Sequence, residues 1–263
     1  MNASQLKKWM LFTLLMPSFL MVCAQNKVML GSLDIIPVPN EVVKSEDGSS
    51  FVIDGSTNIC YPENNEKMKR NAEFLSAYIK KFTGIDVELS VEPKEHAIVL
   101  SLDNTLFHDE GYELNVSKEQ ITLKGKTEAG VFYGIQTLHK ALPVTEGKAL
   151  AAIPCGVVKD YPRFGYRGFM VDVGRHFFGV DYLKKIIDML ALHNINYFHW
   201  HLTEDQGWRI EIKKYPKLTE VGSKRKCTIK DWETKEMDSI PVSGYYTQDE
   251  AREIVRYAAE RYI

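Results

Sequence analysis

The sequence predicts two units in tandem, an α+β domain followed by the opening part of a (β/α)8 barrel, with about two of its eight βα units. Three observations point there. Short strands, a hairpin and two amphipathic helices fill the chain as far as residue 158, and from Asp160 onward the pattern changes to strand, helix, strand, helix. Polar side chains gather directly after each strand of this second part, which is the end where a barrel of this kind builds its site.

The first residues form a separate segment. Lys7 and Lys8 precede an apolar run over 9–16, Pro17 interrupts it, and it resumes at Phe19 before small residues near Ala24. Charged, apolar and small stretches in that order read as a secretory signal over residues 1–24, because an interrupted run falls short of the ~20 apolar residues of a membrane span. Leu20-Met21-Val22-Cys23 loosely matches a lipoprotein box, so lipid anchoring at Cys23 is an alternative within the same reading. The expected location is outside the cytoplasm: periplasmic, secreted or associated with an outer membrane.

The α+β domain is expected over 34–158. Ile36-Pro37-Val38-Pro39-Asn40 is an extended lead-in, since each proline drives the residue before it towards β or polyproline geometry. Phe51-Val52-Ile53 reads as a strand. Over 68–82, Ala72, Leu75, Ala77, Ile79 and Phe82 alternate with charged residues at helical spacing, and Thr83-Gly84 supplies a C-terminal cap. Ala97-Ile98-Val99-Leu100 is a strand core. Tyr112-Glu113-Leu114-Asn115-Val116 and Gln120-Ile121-Thr122-Leu123-Lys124 alternate apolar with polar residues across a short connection, as a hairpin with one wet face does. Thr127 then caps a helix carrying Val131, Phe132, Ile135, Leu138 and Leu142 on one side.

The barrel part is expected over 161–263. Gly168-Phe169-Met170-Val171-Asp172-Val173 is its first strand, a helix covers about 180–192, and Asn196-Tyr197-Phe198-His199-Trp200-His201-Leu202 is the second strand. A second helix runs over 247–261, with Thr247 as cap and Asp249 and Glu250 at its electropositive end. Two βα units are a small part of a barrel, so the chain reads as a fragment or the product of an early stop.

Composition narrows the chemistry. Against 33 basic side chains stand 35 acidic ones, a net charge of −2 with no basic stripe, so nucleic acid is not an expected partner. Cys60, Cys155 and Cys227 are widely spaced and form no Cys-x-x-Cys pair, which argues for neither a disulfide framework nor a zinc site. The polar residues that remain are Asp172, Arg175 and His176 after the first strand, then His199, His201, Glu204 and Asp205 at the end of the second. Strand alternation sends Tyr197, His199 and His201 to one face, and Phe198, Trp200 and Leu202 to the other, against helices. His199-x-His201 could ligate a divalent metal, which leaves a metal-dependent barrel hydrolase as one alternative.

Asp160-Tyr161-Pro162-Arg163-Phe164, followed by Arg167-Gly168-Phe169-Met170-Val171-Asp172-Val173-Gly174-Arg175-His176-Phe177, resembles the first-strand signature of the β-N-acetylhexosaminidases of glycoside hydrolase family 20. His199-Trp200-His201-Leu202-Thr203-Glu204-Asp205-Gln206-Gly207-Trp208-Arg209 resembles the second-strand signature of that family. The resemblance implies an exo-acting enzyme that removes terminal N-acetylglucosamine or N-acetylgalactosamine from glycans, with no cofactor. It implies substrate assistance, in which the 2-acetamido oxygen of the sugar attacks C1. Arg175 would then grip sugar hydroxyls. Glu204 would support the general acid through a histidine on a later loop, although many relatives carry aspartate there. Asp172, His176, His199, His201 and Asp205 would support the site. The Asp-Glu pair that orients the acetamido group and donates the proton belongs to a later strand in the family, so the chain alone is expected to be inactive. A non-catalytic fragment that binds glycans or another protein is the remaining alternative.

Overall fold

The computed structural model describes residues 28–144, 150–231 and 233–263. The export signal read over 1–24, with Cys23, lies outside them. No helix among the described residues is long and apolar enough to cross a membrane.

The first unit is a layered α+β domain. Its strands are β1 (Val28–Leu30), β2 (Glu41–Lys44), β3 (Ser50–Ile53), β4 (Asn58–Cys60), β5 (Glu88–Ser90), β6 (Ala97–Leu102), β7 (Tyr112–Val116), β8 (Ile121–Gly125), β9 (Leu150–Pro154) and β10 (Gly156–Asp160). Seven of them form one mixed sheet in the order β2-β10-β7-β8-β6-β4-β5, and β1, β9 and β3 form a smaller one. The β7–β8 hairpin has the expected alternation, with Leu114, Val116, Ile121 and Leu123 buried and Asn115 and Lys124 exposed.

Helices α1 (Glu66–Thr83) and α2 (Glu128–Ala141) belong to the same unit. The Asn65 side chain caps α1 by accepting the Met68 N–H at 3.0 Å, and Gly84 closes it in the left-handed region at φ 73°. Met68, Ala72, Leu75 and Ile79 line its buried side. Helix α2 departs from a one-sided pattern: residues 130–138 are all buried. It approaches the hairpin so closely at Gly134 that a Cβ there would lie 2.3 Å from the Leu123 side chain. On other sides α2 packs against α1 and against the next unit.

In that next unit β11 (Gly168–Asp172), α3 (Val180–Leu192) and β12 (Tyr197–His201) follow the predicted order, and α5 (Gln248–Ala259) is the second helix. The strands pair in parallel, from Gly168 opposite Tyr197 to Asp172 opposite His201. Leu183 and Ile187 of α3 meet Ile254 and Ala258 of α5 in a core that also takes Val171, Val173 and Tyr246. Phe198, Trp200 and Leu202 pack on this core, as alternation requires. Thr247 and Glu250 close a reciprocal capping box at the start of α5. An excursion separates β12 from α5 and contains β13 (Thr203–Glu204), β14 (Gly207–Trp208), a single turn α4 (Lys217–Glu220), β15 (Lys224–Arg225) and β16 (Val242–Ser243).

The two units are joined by specific polar contacts. Glu110 pairs with Arg167 at 2.6 Å and accepts from Asn196 at 3.2 Å. Asn40 of the first unit donates to the Tyr161 carbonyl at 2.7 Å. Tyr262 packs on Phe132 and donates to Asn71 at 3.3 Å, while Ala191 of α3 enters the core of the first unit.

Candidate active site

The parallel register puts Asp172 and His201, the last residues of β11 and β12, side by side. Beyond Asp172 the chain turns at once. The Arg175 backbone N–H donates to Asp172 Oδ1 at 3.0 Å, and its guanidinium returns to the same carboxylate through Nη1. The other terminal nitrogen, Nη2, reaches Glu204 Oε1 at 3.1 Å. Glu204 Oε2 lies 3.1 Å from His201 Nε2, and the Thr203 carbonyl lies 3.0 Å from the same nitrogen. Arg175, Asp172, His201 and Glu204 therefore form one continuous cluster across both strand ends.

Its electrostatics follow from its position. Burial pushes the Asp172 carboxyl up, but the Arg175 N–H and guanidinium outweigh this and hold it below the usual carboxylate range. Half of the Arg175 side chain, 51 %, is exposed. Two carboxylates fix the guanidinium through its two terminal nitrogens while half of the side chain stays open to solvent, so it can grip hydroxyl oxygens without first being ordered. Close packing fixes the Arg175–Glu204 spacing: a Cβ on Gly174 would come within 2.9 Å of the Glu204 Cβ.

The remaining predicted residues lie around this cluster. Asp205 is exposed at the β13–β14 turn and acts on Arg175 through its charge. His176 is exposed, its ring 5.2 Å from that of Phe178. His199 lies on the same exposed face as Tyr197, with its ring 6.1 Å from that of His201. Among the described residues no group of three or more His, Cys, Asp or Glu side chains converges as metal ligands would. The expectation for Glu204 named a histidine on a later loop; within this chain its histidine neighbour is His201.

Two arginines at the site were not assigned a role from the sequence. Arg209 is fully buried and donates to four carbonyls: Val173 at 3.0 Å, Gly174 at 3.0 Å, Ser223 at 2.6 Å and Gly244 at 3.0 Å. Arg225 donates to the Arg175 carbonyl at 2.6 Å and to the Gln206 carbonyl at 3.1 Å. Arg209 sits within a quoted signature, flanked by Trp208 and Ile210, and a charge in such apolar company is the one sequence signal that it is held internally.

Two Asp-Glu dipeptides occur among the described residues, and the glutamate of each is engaged with partners outside the cluster. Glu110 of Asp109-Glu110 pairs with Arg167 at the junction between the units. Glu250 of Asp249-Glu250 accepts the Thr247 N–H at 2.7 Å in the capping box.

Comparison with known proteins decides the family. Residues 32–161 match the model for glycosyl hydrolase family 20, domain 2, and residues 164–263 match that for the family 20 catalytic domain. The chain belongs to glycosyl hydrolase family 20. It comprises the N-terminal domain and part of the catalytic domain of that family. A beta-hexosaminidase of Porphyromonas gingivalis is 43% identical over 93% of this family 20 chain and 32% of its own length. The N,N'-diacetylchitobiase of Vibrio harveyi is 33% identical over 68% of the chain and 21% of its own length. The solved structure of Streptomyces plicatus N-acetyl-beta-hexosaminidase in complex with Thio-NAglucal superposes with a TM-score of 0.76 at 33% identity, covering 89% of this chain and 45% of that one. The family 20 chain spans about a third of the length of the curated relatives it first matches.

Proposed function

We propose that the protein containing this chain is an exo-acting β-N-acetylhexosaminidase that removes terminal N-acetylglucosamine or N-acetylgalactosamine from glycans with retention, the 2-acetamido group of the sugar serving as nucleophile. The observation that carries the reading is the half-exposed Arg175 guanidinium, fixed between Asp172 and Glu204 at adjoining strand ends in a family 20 catalytic domain. Arg175 holds the hydroxyls of the terminal sugar. Asp172, Glu204 and His201 hold Arg175 and one another. Glu204 also sustains the proton donor, and the aspartate and glutamate that orient the acetamido group and protonate the leaving oxygen come from residues other than these 263.

In this reading β11, α3, β12 and α5 are the first two βα units of a (β/α)8 barrel. Phe169 and Met170 at 48% exposure and Tyr197 at 53% then lie where further barrel strands and the barrel interior would cover them. Cleavage of the signal after Ala24, or lipidation at Cys23, delivers the enzyme outside the cytoplasm. A signal-peptide fusion of residues 1–24 to a periplasmic reporter tests export, with retention in the cytoplasm as the contrary result.

Hydrolysis of chromogenic β-N-acetylglucosaminide and β-N-acetylgalactosaminide tests the activity. The full-length protein is expected to turn over at least one of them, and residues 25–263 alone neither. Absence of turnover by the full-length protein would refute the activity, and turnover by residues 25–263 would refute the placement of the proton donor.

A further inference from the structure

We infer that Arg225 is a positioning residue that sets the place of Arg175 and of the turn carrying Glu204, an inference that rests on the reaction proposed above. Asp172 and Glu204 orient the Arg175 guanidinium, but that orientation is useful only while the backbone beneath it is held. Residues 174–176 lie beyond the last ladder residue of β11, and the Arg175 carbonyl takes its hydrogen bond from Arg225 Nη2 at 2.6 Å. The same guanidinium donates through Nη1 to the Gln206 carbonyl at 3.1 Å, two residues past Glu204. One planar group therefore spans the loop after β11 and the turn after β12, the two segments that supply the cluster.

Arg225 is itself fixed. Its Nη2 meets Thr228 Oγ1 at 2.8 Å, and Asp238 accepts the Thr228 N–H at 2.7 Å while donating its own N–H to the Thr228 carbonyl at 2.9 Å. Arg225 thus ties the later part of the β12–α5 excursion to both loops. A guanidinium bridges two carbonyls because its donors diverge in a rigid plane, whereas an ammonium is a point donor on a flexible stem. Arg209 holds the neighbouring Val173 and Gly174 carbonyls, but it is fully buried and its loss is a folding defect. Arg225 is only partly buried, so its loss leaves carbonyls that water can solvate and acts on geometry.

The test compares Arg225→Gln and Arg225→Lys with the parent in the full-length protein, alone and combined with Arg175→Ala, using a chromogenic β-N-acetylglucosaminide. Displacement of a gripping group by about 1 Å costs on the order of 100-fold in rate. Arg225→Gln is expected to raise KM about 10-fold, Arg225→Lys not to restore it, and the double variant to raise KM no further than Arg175→Ala alone. A purely structural role lowers the folded fraction and hence apparent kcat, leaving KM as it was; that result, or KM increases that multiply with Arg175→Ala, would overturn the inference. If one variant fails to fold, the other carries the comparison. If the parent hydrolyses nothing, the proposed reaction fails by itself, and amide hydrogen exchange then decides the inference: faster exchange at Arg175 and His176 in the variant supports it, and unchanged exchange contradicts it.

Discussion

Arg175 Nη2 lies 3.1 Å from Glu204 Oε1, and this contact joins the loops that follow two consecutive parallel strands. Neither residue belongs to β11 or β12, yet both are placed by them, since the register that sets Asp172 against His201 also sets where each loop begins. The Arg175 cation and its counter-charge are therefore fixed by sheet pairing before any ligand arrives, which is the preorganisation the proposed sugar site needs.

Glu204 touches both Arg175 and His201, so replacing its charge disturbs two partners at once. Glu204→Gln in the full-length protein is expected to lower kcat/KM about 10-fold or more, with Glu204→Asp intermediate because its shorter arm keeps the charge but not both contacts. Steady-state kinetics on a chromogenic substrate measure this, and equal activity in all three forms would remove Glu204 from the site.

Gly207 packs where no side chain fits: a Cβ would sit 2.4 Å from Arg209 Nη2 and 2.6 Å from the Gly174 carbonyl. Gly207→Ala is expected to destabilise the protein by about 2 kcal/mol. Gly165→Ala, which meets nothing within 4 Å, is the control expected to leave the denaturation midpoint where it was.

Arg209 satisfies four buried carbonyls. Arg209→Met leaves those acceptors without donors and is expected to cost about 3 kcal/mol or more, and Arg209→Lys restores little because one ammonium cannot reach all four. Thermal or denaturant unfolding checks both, and a loss below 1 kcal/mol in the methionine variant would contradict the assignment.

These two glycine and arginine positions show why the sequence disclosed the site only in part. The polar residues after β11 and β12 stood out because they break an apolar strand pattern, and the two strands with α3 were bounded by period alone. The partners of Arg209 and Arg225 are backbone carbonyls, which every residue has and no sequence distinguishes. In the first unit, the β7–β8 hairpin was legible from its one wet face. Strands β4 and β10 were not: β4 is three residues long and buried throughout, and β10 is paired on both edges, so neither shows a clear alternation. Helix α2 hid its second buried side, because small residues such as Gly130 and Gly134 mark close approach and carry no apolar periodicity.

His139 gives the fold a pH dependence. Burial, with Lys81 and Lys140 nearby, pushes its imidazole down to about 4 from 6.5, and its ring stacks on Tyr78 at 3.9 Å. Between those values the unfolded chain binds a proton that the folded chain refuses, so the His139 contribution to stability is complete above about pH 6.5 and is lost as the pH drops towards 4. The loss is on the order of 2 kcal/mol. His139→Phe is expected to flatten the melting temperature across that window, whereas an unchanged slope would show that other groups set it.

The proposed reaction depends most directly on Arg175 as the grip on the terminal sugar. Measuring kcat/KM of the full-length protein and its Arg175→Ala variant on a chromogenic β-N-acetylglucosaminide decides the matter. Loss of about 100-fold or more, with the variant melting within a few degrees of the parent, is the predicted result; a variant as active as the parent would contradict it.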